Sequence, residues 1–180
     1  MKTIRRIPTE EEITIAFRRL DETPWATVLA RLIVYGLRPH EAHLGIINEQ
    51  GLFLVPPNTK TGERLVPPFE QRPKWIRLAM GTLPKLKVRE NRELGVRTYQ
   101  AFKRRDVPFN PYDLRHRWVV LSEEAGIPPA VASVWAGHSP RTRYHVYTRT
   151  LDSRRALKYA QDHGYLLANQ SNQTHQPSWQ

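Results

Sequence analysis

The chain contains no cysteine. That excludes disulfides, thiolate metal sites and a cysteine nucleophile, so any covalent chemistry must rest on Ser, Thr, Tyr, Lys, His or a carboxylate. No apolar run is long enough to span a bilayer, since even "WATVLARLIVYGL" is broken by Arg31, and "MKTIRRIPTEEE" lacks the apolar segment of a signal peptide. A cytoplasmic protein with no membrane partner is expected. Acidic residues are also scarce: 17 Asp and Glu stand against 28 Lys and Arg, leaving a formal net charge of +11. Such an excess attracts polyanions, and nucleic acid is the first partner to consider. A membrane-surface role would need one basic amphipathic helix, whereas these cations are scattered along the whole chain. No internal repeat is found.

What is present suits one globular domain, with 39% apolar and 25% charged residues over 180 positions. "TEEEITIAFRRL" starts a helix, with Thr9 and Glu12 in capping-box spacing and Ile13, Phe17 and Leu20 as its apolar positions. Pro24 opens a second helix that is apolar on nearly every face, hence central and buried, and that ends near Gly36 with Arg38 at its mouth. Between residues 44 and 69 the chain turns β-branched and aromatic, with "NEQG" and "NTKTGE" as turns, which predicts a small antiparallel sheet of two or three strands. Helices return around "RPKWIRLAM", "RELGVRTYQAFKRR", Asp113 to Ala125, 129–136, 140–148 and "LDSRRALKYAQDHGY". The fold class expected is α+β, mainly α. Residues 1–165 form the domain, and 166–180 form a tail, flexible or docked on a neighbouring protomer.

Five stretches carry the candidate chemistry: "YGLRPHE", "NTKTGERLVP", "NPYDLRHRW", "WAGHSP" and "YTR". Each has a bland reading. Arg38 can satisfy a helix C-terminus, Lys60 can be a solvated turn lysine, Arg115 and His116 can form surface contacts, His138 can cap a helix, and Tyr147 can be a half-buried aromatic. Taken together, their order and spacing resemble the catalytic domain of the tyrosine recombinases, the phage-integrase family. In that family an Arg follows a helix end and precedes a Glu by three residues, as Arg38 precedes Glu41. A Lys occupies a hairpin turn of "KTG…R.VP" type, as Lys60 does. An "H-x-L-R-H" box opens a helix, matched by "YDLRH" at 112–116, and a "GH" pair follows, matched by Gly137 and His138. The nucleophilic Tyr stands nine residues beyond that His, which selects Tyr147 over Tyr144. The first position of the box is Tyr112 here, so proton transfer there gives way to phosphate positioning through its hydroxyl. The DNA-clamping N-terminal domain usual in the family is expected to be absent.

The resemblance implies cleavage and rejoining of double-stranded DNA through a 3′-phosphotyrosyl intermediate on Tyr147, in site-specific recombination or integration. It also implies a bacterial or phage-encoded, DNA-associated protein that self-associates on DNA as a dimer or tetramer. Arg38 and Arg115 suit the non-bridging phosphate oxygens, because a guanidinium is a planar fork whose charge is permanent. His138 adds a donor, Lys60 protonates the leaving 5′-oxygen, and Tyr112 and His116 are auxiliary. No nucleotide or metal cofactor is implied. Lys103, Arg104, Arg105, Arg141 and Arg143 are expected on phosphates, setting affinity more than sequence choice. Three alternatives stay open. One is a DNA-binding relative without catalysis, with 123–147 as helix-turn-helix. The second is type IB topoisomerase-like strand relaxation. The third is a metal-dependent nuclease built on His40 and His43, against which a His pair on a solvated helix is set.

Overall fold

The computed structural model describes residues 6–138 and 153–167. Helix α1, Glu10–Leu20, starts at the capping box: Glu12 N–H donates to Thr9 Oγ1 at 3.2 Å, and Thr9 N–H to Glu12 Oε2 at 3.0 Å. It buries Ile13, Ala16 and Leu20 against α2, Pro24–Tyr35, the central helix, which is buried from Ala26 to Tyr35. Gly36 ends α2 in the left-handed region at φ 61°, and a Cβ there would come within 2.4 Å of the Trp118 ring, so no other residue fits without displacing it.

The charge inside α2 is accommodated by carbonyls. Arg31 donates to Ala79 O at 2.8 Å, Ala42 O at 3.0 Å and Gly45 O at 3.1 Å, with burial pushing its pKa down. These bonds fasten the short helix α3, Glu41–Leu44, and the end of α4, Pro73–Ala79, to the central helix. Between them lies the sheet: β1 Ile46–Ile47, β2 Phe53–Val55 and β3 Arg64–Val66, antiparallel in that order, with Phe53 opposite Val66 and Val55 opposite Arg64. Three strands form, within the range the sequence allowed. Alternation places Phe53 and Val55 on the core face of β2 and Arg64 and Val66 on that of β3, so a guanidinium enters the interior from a strand.

The remaining helices are α5 Asn91–Arg104, α6 Pro111–Glu124, α7 Pro129–Ala136 and α8 Ser153–Asp162. Helix α6 begins before Asp113. Asn110 is its N-cap, Pro111 occupies the first turn, and Asp113 is the third-position partner of a second capping box. The helix expected at 140–148 lies outside the described residues. Helix α8 packs in cis against α7 through Ala156 and Ala160, both buried, and Tyr159, whose ring centre is 6.1 Å from that of Trp135. Leu157 is half-buried, and Leu151 lies outside the described residues. Tyr165 packs on Trp135 and Phe69, and Leu167 N–H donates to Gln50 O at 3.1 Å, so the chain remains docked on the domain to the last described residue. Among the described residues, no helix is long and apolar enough to cross a membrane.

Candidate active site

Two helix C-termini, those of α2 and α7, converge on a group of arginines. Gly137 closes α7 in the left-handed region at φ 62°, and His138 N–H donates back to Ser133 O at 3.0 Å. The last carbonyls of α7 are then taken one by one. Arg64 Nε donates to Trp135 O at 2.8 Å, Arg115 to Ala136 O, and Arg38 Nη2 to Gly137 O at 2.8 Å. Arg115 also donates to Gly36 O at 3.0 Å, so one side chain bridges both helix ends. The negative ends of two helix dipoles offset part of the cost of bringing three guanidiniums together.

A single carboxylate completes the group. Glu41 is fully buried, accepts from Arg38 Nη1 at 2.9 Å and Arg64 Nη2 at 2.8 Å, and also receives the Arg38 backbone N–H at 2.9 Å. Burial alone would raise its pKa. The hydrogen bonds and charge of Arg64, then of Arg38, outweigh that and hold it at about 2, so the group is ionised across the neutral range. Three guanidiniums against one carboxylate leave a local excess of positive charge. Arg115 registers it: burial first, then the neighbouring Arg38, lowers its pKa to about 10. A cluster with this imbalance is a place where an anion gains from arriving.

Of the sequence-selected residues, the structure brings Arg38, Arg115 and His138 to one turn. Lys60 stands on the exposed turn between β2 and β3. Its neighbour Thr61 accepts from both Arg38 Nη1 and Arg64 Nη1 at 3.1 Å, which places the lysine one residue from the arginine group. Lys60 and Tyr112 line one cavity of about 600 Å³, bounded further by His40, Arg92 and Tyr99. Tyr112 sits in the first turn of α6. His116 follows Arg115 directly, and consecutive helical positions point about 100° apart, so it leaves the face that Arg115 uses. Tyr147, Tyr144, Arg141 and Arg143 lie outside the described residues, as does the recognition helix that a helix-turn-helix reading places after Ser139.

The three consecutive cations at 103–105 divide between surfaces. Arg104 and Arg105 line a cavity of about 580 Å³ together with Lys85, Lys87, Arg97 and Trp25, while Lys103 borders a different hollow beside Asp106 and Asp113. The histidine pair also differs from expectation. His43 is half-buried: its Nε2 lies 2.8 Å from Thr98 Oγ1, its ring meets Trp25 edge-on, and burial, with Arg31 and His40 adding, lowers its pKa to about 4. It is a neutral packed side chain, not one on a solvated helix. Among the described residues, no group of three His, Asp or Glu gathers to hold a metal ion.

The sequence reading missed Arg64 as a member of the site, although it stands inside the "KTG…R.VP" pattern. Strand alternation gave the signal: in "RLV", an Arg two places from a buried Val faces the core.

This geometry defines a class: a helical domain with a three-stranded sheet that holds fixed cations at the junction of two helix ends. Comparison with known proteins places it further. The chain is 25% identical over 190 residues to excisase A of Nostoc sp. strain PCC 7120, covering 84% of this chain and 40% of that protein. It is 31% identical over 145 residues to excisase C of the same organism, covering 69% and 29%. The chain thus spans less than half the length of either relative. XerA recombinase has the same fold, with a TM-score of 0.58 at 14% identity over 91% of this chain and 66% of that one. No family model matches the chain. The fold is that of the tyrosine recombinase catalytic domain.

Proposed function

We propose that the chain cleaves and rejoins double-stranded DNA in site-specific recombination, through a 3′-phosphotyrosyl intermediate. The observation that carries this reading is the meeting of Arg38 and Arg115, from distant parts of the sequence, on the adjacent carbonyls of Gly137 and Ala136, immediately before His138. Arg38 and Arg115 clamp the non-bridging oxygens of the scissile phosphate and stabilise the charge that grows there. Hydrogen bonds within the described residues occupy three of the five Arg38 N–H groups, leaving others for a phosphate. His138 adds a donor. The Tyr147 oxygen attacks phosphorus, its proton passing to solvent; the bond to the 5′-oxygen breaks, and Lys60 protonates that oxygen as it leaves. The spacing from His138 selects Tyr147. The 5′-hydroxyl of a second strand reverses the step, and copies of the protein gather on DNA to supply that strand. Arg104 and Arg105, with Lys85, Lys87 and Arg97, hold phosphates away from the cleaved bond.

The test is a nicked substrate bearing the recognition site, incubated in EDTA. Wild type forms a covalent 3′-adduct, Tyr147→Phe forms none while binding DNA with nearly unchanged affinity, and Tyr144→Phe retains it. Adduct formation by Tyr147→Phe, or its loss in Tyr144→Phe alone, would overturn the assignment. DNA binding by wild type without any adduct would leave a binding relative that does not cleave.

A further inference from the structure

Arg64 has no part in the chemistry above, yet among the described residues it is the most heavily committed arginine of the cluster. It is 6% exposed and reaches inward from the core face of β3. Four of its five N–H groups are used: Nε on Trp135 O, Nη1 on Glu41 Oε1 and Thr61 Oγ1, and Nη2 on Glu41 Oε2. A side chain so enclosed and so fully engaged does not reach a DNA phosphate. Its partners explain its use. Thr61 adjoins Lys60, Glu41 orients Arg38 through side chain and backbone, and Trp135 begins the turn that ends in His138. The contact with that turn is close: a Cβ on Gly137 would lie 2.6 Å from Arg64 Cζ, so the left-handed turn and the guanidinium fit against one another.

We propose that Arg64 is a positioning residue for strand cleavage, which through the Trp135 carbonyl and Glu41 fixes the Gly137 turn and so sets where His138 and Arg38 stand. The inference rests on the strand-cleavage reading for its rate consequence and on geometry alone for its structural one. Lysine in its place keeps a charge beside Glu41 but loses the planar fork, since an ammonium cannot serve the Trp135 carbonyl and both Glu41 oxygens in the same directions. Charge is therefore not the property at stake; shape is.

Two variants of the full chain test this, Arg64→Lys and Gly137→Ala, the second pressing on the same contact from the opposite side. The first measurement is NMR of the Gly137 amide and of the His138 ring, at a temperature where melting curves show both variants folded. In Arg64→Lys both resonances should move, and in Gly137→Ala the Arg64 Nε–H resonance should move, with the spectrum elsewhere held. Unmoved His138 and Gly137 resonances in a folded Arg64→Lys overturn the proposal whether or not the protein cleaves DNA. If Arg64→Lys does not fold, Gly137→Ala decides through the Arg64 Nε–H resonance, and an unmoved Arg64 resonance there overturns the proposal. The second measurement is single-turnover cleavage at saturating substrate. Arg64→Lys should lose roughly 10- to 100-fold in rate with half-saturation unchanged, as expected when fixed donors are displaced and binding is not. In a His138→Ala background the same substitution should cost much less, because the two act through one turn. Losses that multiply independently would show Arg64 to be a fold-stability residue only. Absence of an adduct in wild type would count against the cleavage reading, and the NMR result would still decide the role of Arg64.

Discussion

Arg38, Glu41, Arg64 and Arg115 are sunk into the protein and bound to one another or to helix ends, whereas Lys60, one residue from Thr61, stands in solvent on the β2–β3 turn. Under the proposed reaction, the difference follows from what each group is asked to do. Donors that stabilise charge appearing on phosphate oxygens are worth most when they are already in place, since no energy is then spent reorganising them during the reaction. Their burial is made tolerable by Glu41 and by carbonyls at two helix C-termini. A proton donor has a narrower task, to be near one leaving oxygen at one moment, and an exposed lysine on a turn retains the freedom to approach. The Thr61 hydroxyl ties the two regions at one point, on Arg38 and Arg64.

The sharpest way to break this contrast is to remove the carboxylate that makes the buried region possible. Glu41→Gln leaves two enclosed guanidiniums without their countercharge and should cost about 3–5 kcal/mol of stability, read by denaturant unfolding. The pH dependence follows from the same pairing. The Glu41 carboxyl is held at about 2 when folded, against an ordinary value of 4.5, so its contribution is present above the ordinary value and is lost as pH falls toward 2. Wild type should therefore lose stability through that window more steeply than Glu41→Gln. Parallel curves would mean that the carboxylate is not the keystone of the cluster.

Lys60→Ala probes the other side. Stability should change little, because the side chain is exposed, while cleavage should fall by roughly 30- to 1000-fold, or 2–4 kcal/mol. Replacing the bridging 5′-oxygen by sulfur should restore much of that loss, since a thiolate leaves without a proton, and should rescue Arg38→Ala and Arg115→Ala far less. Equal rescue of all three, or no rescue of Lys60→Ala, would erase the distinction between donor and clamp.

The smallest effect is expected at the basic cavity. Lys85→Ala and Arg104→Ala should each weaken DNA binding modestly and at all sequences alike, and should reduce the slope of log affinity against log salt by about 1. The single-turnover rate on bound DNA should stay at the wild-type level. Lys103→Ala, which faces another surface, should show whether that hollow also meets phosphate.

Much of the frame was legible in the chain. The Thr9–Glu12 capping box, the end of α2 at Gly36 and the place of the sheet each follow from short-range chemistry, and all appear where expected. The start of α6 was read late because Asn110 and Asp113 form a second capping box, which moves the boundary ahead of the acidic residue. Helix α8 was legible in "LDSRRALKYAQDHGY", but nothing local showed that its close approach to α7 would bury Ala156 and Ala160. His43 was read as solvated because its i,i+3 spacing from His40 says nothing of Trp25 and Thr98, which enclose it. For Arg64 the sequence offered alternation but not the partner, since Glu41 lies 23 positions away.

By itself, then, the order of residues determined where helices start and stop, which side of each strand meets the core, and which Arg, Lys, His and Tyr stand at family spacing. Those are consequences of local backbone chemistry and of counting. Only the tertiary structure decided that the carbonyls of Trp135, Ala136 and Gly137 would each be claimed by a different arginine, and that one buried carboxylate would hold two of those arginines. The physical reason is range. A cap or a turn is settled within a few residues, whereas a buried charge must find its partners wherever packing brings them, and here packing brings them together from positions 38, 41, 64 and 115.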